Sequence, residues 1–490
     1  MDNKCARRRY LFLPLTLALA SVALWSQPSG LTNRVLVAVQ NPSGTTGNND
    51  NFIAPQLSMQ IVSATNDSSL ASGSPAFIAS WDGANPARIE NLPAEHLGAV
   101  FTENSSLELV DYAKEAVSSN FTGFPGPPTA VLLSHDQRYI VAASIQAGEV
   151  TIADLNASPV TTVSLNLPGA SAISVNVGST LFFAFAQDSN VVYYIRRLSA
   201  SDSIAYANQK WPANATDCEP LNVPEYCAFA INSGTGSIAT YSQQNFDHPF
   251  KALFSADGGS VFILNAGPGS GGTTGGITVL PAAPLLFSDG SQSGSIPASP
   301  ARVEVFSGSS NTGVVSMGIV AGNTVYLAGQ QKLKAGEWGG EIWAVNVAAT
   351  PSAAVGPLSI ADGFVSRMIL ADDNTLWIGS TGCNTGYRAL SSLPDGCLTV
   401  VNTSNNSVAF IEPFTTTSMD ANCCDASGDV TGIAAILGLH KVYYTENGQL
   451  YIRSTASPYN MMNNANVVAI GTALDVAFID TANDTDNADY

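Results

Sequence analysis

Basic residues are scarce in this chain: 19 of 490 residues are Lys or Arg against 38 Asp or Glu, a formal charge of −19. Nucleic acid and anionic membrane surfaces both demand clustered cations, so the expectation is no nucleic-acid partner and no membrane-surface partner. Charge of either sign is sparse, at 12% of residues. No stretch repeats its apolar residues with a helical period, whereas 42 Gly and 26 Pro punctuate the chain, a profile of short strands joined by many turns. Histidine is limited to His96, His135, His248 and His440, none paired at metal-ligand spacing, which argues against zinc. No nucleophile-elbow motif points to a Ser-His-Asp site.

Long apolar runs are missing too, with one exception. Lys4 and Arg7 to Arg9 precede LFLPLTLALASVALW (Leu11 to Trp25), which is followed by SQPSG. A basic start, a short apolar core and small residues near Ser21 and Ala23 make residues 1–26 a secretory signal peptide. With no second apolar span, the expectation is a secreted, periplasmic or cell-surface protein with no membrane insertion after signal removal. Cysteine is limited to seven residues, of which Cys5 falls in the signal. The other six, Cys218, Cys227, Cys383, Cys397, Cys423 and Cys424, read as disulfide candidates in an exported chain, with 15 connectivities open.

What is present is a repeat. An apolar strand, a short polar turn and a second β-branched or aromatic strand recur as AVLLSHDQRYIVAAS (Ala130 to Ser144), AISVNVGSTLFFAFA (Ala172 to Ala186) and ALFSADGGSVFILNA (Ala252 to Ala266). They recur again as MGIVAGNTVYLAG, MILADDNTLWIGS and IAAILGLHKVYYTE between Met317 and Glu446, and a third strand such as EVTIADL or EIWAVNV follows most copies. Such units cannot bury both faces alone, and radial stacking does so, which predicts an all-β fold of four-stranded antiparallel blades, a β-propeller. Leu97 to Phe121 reads as a blade without a first strand, and ALDVAFID (Ala473 to Asp480) as a first strand with nothing after it. Joining the two predicts seven blades, the first closed by the C-terminal strand. The long interval holding Cys218 and Cys227 is read as an insertion in one blade, with an eighth, degenerate blade as the alternative. The organisation expected is therefore a Ser/Asn/Gly-rich N-terminal segment over 27–82, a propeller over 83–480 and a disordered acidic tail over 481–490.

KVYYTENGQLYIRST (Lys441 to Thr455) and RYIVAASIQAGEVTIADL (Arg138 to Leu155) resemble the YVTN-type repeat of secreted bacterial (YncE-like) β-propellers, in the lactonase-like propeller superfamily. The resemblance implies the fold over roughly residues 95–480. It carries over no catalytic residue, because the repeat motif contains none.

In a four-stranded meander the second-to-third turns and the blade crossings share one face. There the sequence has NAGPGSGGTTGG (Asn265 to Gly276), GQQKLKAGEWGG (Gly329 to Gly340), the stretch Gly382 to Gly396 and the crossing with DANCCDASGD, whereas the readable turns of the other face are short. Long loops on a rigid scaffold are the places to seek function, so Lys334, Glu337, Trp338, Asp420, Asp425 and Asp429 are the ligand-face candidates. Asp420, Asn422, Asp425, Ser427 and Asp429 make Ca²⁺ the one candidate ion, without EF-hand spacing; no cofactor is otherwise predicted. Gly267, Gly269 and Gly272 match G-x-G-x-x-G, but a strand rather than a helix follows, which removes the phosphate-binding end the motif needs. Cys423 and Cys424 have three readings: a vicinal ring of the kind quinone-dependent dehydrogenases use, cross-links to Cys383 and Cys397, or a pair left to itself while Cys383 bonds Cys397. A recurrent Trp docking motif, which a quinoprotein would show, is missing.

The function expected is a binding or surface-interaction module, a monomer whose partner is an extracellular ligand, carbohydrate or protein. The alternative is a propeller enzyme, a lactonase-like hydrolase or a quinone-dependent dehydrogenase, on the same face.

Overall fold

The computed structural model describes residues 29–40, 58–198, 203, 215–230, 246–282, 301–383, 395–413, 428–462 and 472–480, with short gaps inside these ranges. Within them the second strand of a unit is often buried on both faces, so it reads as a continuous apolar run: every residue of Tyr139–Ser144 (YIVAAS) and Leu181–Ala186 (LFFAFA) is buried. An outermost strand such as Thr161–Asn166 (TTVSLN) is mostly exposed and polar. That gradient from core to rim is what a radial blade imposes.

Among the described residues there are eight antiparallel sheets, not seven. Blade 1 joins Arg34–Gln40, Met59–Ser63 and Ser74–Phe77 to Thr472–Phe478. Blade 2 runs from Pro86–Leu92 to Ala116–Phe121, blade 3 from Ala130–Leu133 to Thr161–Asn166, and blade 4 from Ala170–Val175 to Tyr226–Ala230. Blade 5 runs from Pro249–Phe254 to Ala301–Ser307, blade 6 from Val314–Ala321 to Ala353–Ile360 and blade 7 from Phe364–Ala371 to Ser407–Pro413. Blade 8 holds Val430–Ile436, Lys441–Glu446 and Gln449–Ser454, and Met461 bridges its outer edge at Arg453.

Eight apolar clusters mark the eight seams. Leu36, Ile61, Ile89 and Val100 pack blade 1 on blade 2, and Leu133 with Leu109 packs 2 on 3. Phe182 and Ile152 join 3 to 4, Phe183 and Ile263 join 4 to 5, and Leu264 and Leu327 join 5 to 6. Ile342 and Ile378 join 6 to 7, Trp377 and Tyr444 join 7 to 8, and Tyr443 with Val37 and Val476 returns 8 to 1. The ring is closed. Each large side chain buried in a seam contributes about 1.5–3 kcal/mol, and no blade could bury these faces alone.

The seven-blade expectation fails for two physical reasons. Pro86–Leu92 (PARIENL) is the first strand of blade 2, and its apolar pattern is broken by Arg88, Glu90 and Asn91: Glu90 and Asn91 are buried, Arg88 Nη2 lies 2.6 Å from Glu90 Oε1, and Asn91 Nδ2 donates to the Phe478 carbonyl at 2.8 Å. The C-terminal strand instead pairs antiparallel with Arg34–Gln40, so the Ser/Asn/Gly-rich region supplies the extra blade. Arg34 fastens this closure, with Nη2 on Asp480 Oδ1 at 2.7 Å and Nη1 on Glu115 Oε1 at 2.8 Å. The interval after Arg197 is an insertion in blade 4, where Ala215–Cys218 adds an outer fifth strand.

Candidate functional site

Seven innermost strands carry a β-bulge close to their start. The residue skipped by the ladder is Leu474 in blade 1, Ala87 in blade 2, Ser171 in blade 4, Phe250 in blade 5, Ser316 in blade 6, Ser366 in blade 7 and Thr431 in blade 8. The start of an innermost strand lies where a blade crossing enters, so these bulges form a collar around one mouth of the central channel. A bulge re-aims a side chain and ends the regular ladder. Loop length alone does not pick this face, because the connections over 198–225 and 282–300 on the opposite face are also long.

The residue after each bulge takes up the ladder again on the innermost strand, and in four blades it is charged. Arg88, Lys251 and Arg367 occupy that position in blades 2, 5 and 7, and Asp475 occupies it in blade 1. Arg367 Nη2 reaches Asp475 Oδ2 at 3.2 Å across blade 8, where the equivalent residue is Gly432. Any side chain at Gly432 would collide with Asp475: an added Cβ would lie 2.5 Å from its Oδ1 and 2.8 Å from its Cα. Burial pushes the Asp475 carboxyl up, opposed by Arg367, by the Ile89 N–H and by Arg88. Asp475 thereby ties the closing strand to blades 2 and 7.

Between blades 4 and 5 the collar opens into a cavity of about 160 Å³. Its wall combines the bulged Ser171 and Phe250 with Ala172, Pro249, Phe185, Ala186, Ala266, Ser270 and His248. His248 sits in the left-handed region at φ 53°, on the crossing into blade 5. Its Nδ1 lies 3.1 Å from Asp247 Oδ1. Asp247 Oδ2 accepts the Thr273 N–H at 2.7 Å, the Thr273 hydroxyl at 2.8 Å and the Thr274 N–H at 2.8 Å, and the Asp247 N–H donates to Asn265 Oδ1 at 2.9 Å. Burial raises the Asp247 pKa, but the hydrogen bonds from His248, Thr273 and Thr274 outweigh it and hold the carboxyl below its ordinary value. The ionised carboxylate can only accept, so Nδ1 donates in this bond and the ring orientation is set by it.

The glycine-rich run that mimics a phosphate loop has another role here. Pro268–Ser270 forms a single 3₁₀ turn and a strand follows from Thr274. Gly272 is small because a Cβ would collide with the Asp247 carboxylate and the His248 ring, and Gly267, at φ 86°, would collide with the backbone of Gly275. The loop is a clamp that turns Thr273 and Thr274 onto Asp247.

The sequence-derived candidates fall in three places. Lys334, Glu337 and Trp338 lie at the tip of a long hairpin of blade 6, where Lys334 pairs with Glu337 and Lys332 with Trp338. Asp429 lies at the start of blade 8, and its Oδ1 accepts the Gly382 N–H at 2.5 Å. Asp420, Asp425, Cys423 and Cys424 lie outside the described residues. Cys218 bonds Cys227, joining paired residues of neighbouring strands, and Cys383 bonds Cys397. The second bond excludes cross-links from Cys383 or Cys397 to the adjacent pair, and it occupies both sulfurs that lie near the Asp429 carboxylate. Sequence reading missed Asp247, His248, Ser171 and Phe250. The available signal was an Asp-His pair directly before an innermost strand, followed by a glycine loop ending in two threonines.

Two disulfides indicate an oxidising, extracytoplasmic setting. No helix among the described residues is long and apolar enough to cross a membrane. No family model and no curated protein matches the chain. In fold the chain is similar to dihydro-heme d1 dehydrogenase NirN in complex with DHE, with a TM-score of 0.52 and 9% identity over 93% of this chain and 78% of that one. It is similar to apo AztD from Citrobacter koseri at 0.47 and 11%, covering 91% and 97% of the two chains. It is similar to the Cps50 (Swd1) beta-propeller domain of Myceliophteria thermophila at 0.44 and 11%, covering 75% and 96%. At such identities the likeness is one of fold: an all-β propeller.

Proposed function

We propose that the chain is an exported binding module that takes an extracellular ligand, carbohydrate or protein, at the bulged mouth of its channel. One observation carries the reading: seven innermost strands abandon their ladder at the same level, and the cavity between blades 4 and 5 opens at that level. Phe364, 61% exposed at the start of blade 7, adds an aromatic contact to the same mouth. The YVTN-type resemblance and the signal-like N-terminus agree with secretion to the periplasm or cell surface, where the module acts as a monomer. The acidic crossing before blade 8 is the place to look for Ca²⁺.

The test is capture of glycans and secreted proteins on arrays by the full chain. Phe250→Ala and Phe364→Ala should each weaken capture at least about tenfold, the scale of a lost aromatic anchor. Asp257→Asn, in an exposed turn on the opposite face, should leave it unchanged. The reverse pattern overturns the proposal.

A hydrolase on the same face is the second reading, favoured by the Asp247–His248 pair beside Ser171 and Ser270. A histidine held by a carboxylate and two serines lining one pocket are the residue types that a general base and nucleophile require. Turnover of a chromogenic lactone or ester that vanishes in His248→Ala would replace the binding-module reading. No turnover by the native chain retires the hydrolase.

A further inference from the structure

Glu108 belongs to the third strand of blade 2, Leu107–Asp111, two residues before Val110. Val110 packs with Leu36, Ile61 and Trp81 of blade 1. Side chains two apart share one side of a strand, so Glu108 faces the same seam. It is 1% exposed, and neither oxygen of its carboxyl has a hydrogen-bond donor. The charged group that reaches it is a second carboxyl, Asp82, on the crossing from blade 1 into blade 2. Asp82 is exposed and sits in a turn where its Oδ1 accepts the Ala84 N–H at 2.7 Å, while Trp81 Nε1 donates to the Ala84 carbonyl at 2.9 Å. We propose that Asp82 and Glu108 together hold a divalent cation, Ca²⁺, that fastens this crossing to blade 2.

The charges around other buried carboxylates show what is different here. Glu412 has Arg453 against it, Asp475 has Arg367 and Glu90 has Arg88; Glu108 has a carboxyl where these have a guanidinium. Two ionised carboxylates can only accept, and like charges in contact cannot both persist in a buried site without compensation. Burial, the hydrogen bond with Asp82 and the Asp82 charge all push Glu108 up to about 8, and no basic group pulls it back. A shared proton or a cation would supply the missing positive charge. The proton satisfies one bond between the two groups, whereas a cation draws on oxygens of both. An all-oxygen donor set selects a hard ion. Ca²⁺ gives up its hydration to a buried carboxylate more readily than Mg²⁺, and water at the exposed Asp82 side completes its shell. The extracytoplasmic setting indicated by the two disulfides is where Ca²⁺ is abundant enough for sites with Kd of about 10⁻⁴–10⁻³ M. Blade 1 closes the ring, so the ion would steady the closing blade against its neighbour, whatever the mouth binds.

The experiment takes the full, disulfide-intact chain, strips it with a chelator and titrates it with CaCl₂ and MgCl₂, followed by calorimetry and thermal melts. Ca²⁺ at about 10 mM should raise the thermal midpoint by about 1–3 °C, the mass-action gain for a Kd in that range, and Mg²⁺ should raise it less. Glu108→Gln, which keeps the shape of the side chain, and Asp82→Asn, at an exposed position, should each weaken Ca²⁺ binding at least about tenfold, since affinity follows the number of charged ligands. Terbium provides an independent readout of place. Its emission, excited through tryptophan and displaced by Ca²⁺, should fall in Trp81→Phe, because Trp81 adjoins Asp82 in the crossing. The proposal is overturned if Ca²⁺ leaves the midpoint unmoved, which would make a shared proton the whole account of the pair. It is overturned equally if both carboxyl variants bind Ca²⁺ as the native chain does. A shift that survives both and disappears in Asp425→Asn would place the ion at the crossing before blade 8 and refute this site.

Discussion

Gly432→Ala probes the closure of the ring with one methyl group. In the native chain this glycine separates Arg367 of blade 7 from Asp475 of blade 1. A Cβ there would sit 2.8 Å from both the Asp475 Cα and the Val476 nitrogen. Neither atom can retreat: Val476 is paired with Val37 in the sheet, and Asp475 Oδ2 is held by the Ile89 N–H at 2.9 Å. Forcing a methyl into filled space of this kind costs about 1–3 kcal/mol. An unfolding entropy near 2.1 cal/mol/K per residue gives a chain of this length about 1 kcal/mol/K, so the thermal midpoint should fall by about 1–3 °C. The control is Gly259→Ala, where the nearest atom is an Asp257 carboxylate oxygen at 3.3 Å on an exposed turn, and where the midpoint should hold within about 0.5 °C. Differential scanning calorimetry of both variants decides the matter. Equal midpoints would mean that Asp475 does not rest on blade 8, and the closure described here would be wrong.

Three further outcomes follow from the same geometry. Asp247→Asn should raise amide exchange over 267–274 and weaken ligand capture, because the Thr273 and Thr274 donors lose part of a buried acceptor at a cost of about 1–3 kcal/mol; unchanged exchange would refute the clamp. Stability should decline as pH rises from about 5 to 9, since burial, then the hydrogen bond with Asp82, pushes Glu108 up to about 8, and burial, then Glu412, does the same for Glu446. A carboxyl with a raised folded-state pKa is stabilising in its protonated form below the unfolded value and loses that contribution as pH passes the folded one, so Glu108→Gln should flatten the melting profile in this window. Non-reducing peptide mapping should recover Cys218 with Cys227 and Cys383 with Cys397, and reduction should destabilise the fold by about 2–4 kcal/mol for each bridge, with loops of 9 and 14 residues.

The fold was largely legible because second strands such as LFFAFA are buried on both faces and announce themselves as apolar runs. Blade number was harder to read, and the cause is local. PARIENL buries Glu90 and Asn91, one beside Arg88 and the other on the Phe478 carbonyl, and no hydropathy pattern can see such burial. The first blade was obscured differently, since its innermost strand comes from the far end of the chain and its other strands lie in a region rich in Ser, Asn and Gly. The bulged mouth and its cavity are not legible in the sequence, where loop length marks both faces alike. Ser171 and Phe250 gain their position from bulges, which depend on pairing between strands rather than on residue type. Asp247 and His248 looked like isolated polar residues until the glycine loop folded Thr273 and Thr274 back onto them.

Hydrogen–deuterium exchange of the full chain with a captured array ligand at saturation tests the central claim most directly. Protection over 170–175, 246–254 and 265–274, the strands and loop around the blade 4 and 5 mouth, is the result the bulged collar predicts. Protection confined to the opposite-face turns at 254–260 and 371–375, with the mouth unchanged, would contradict it.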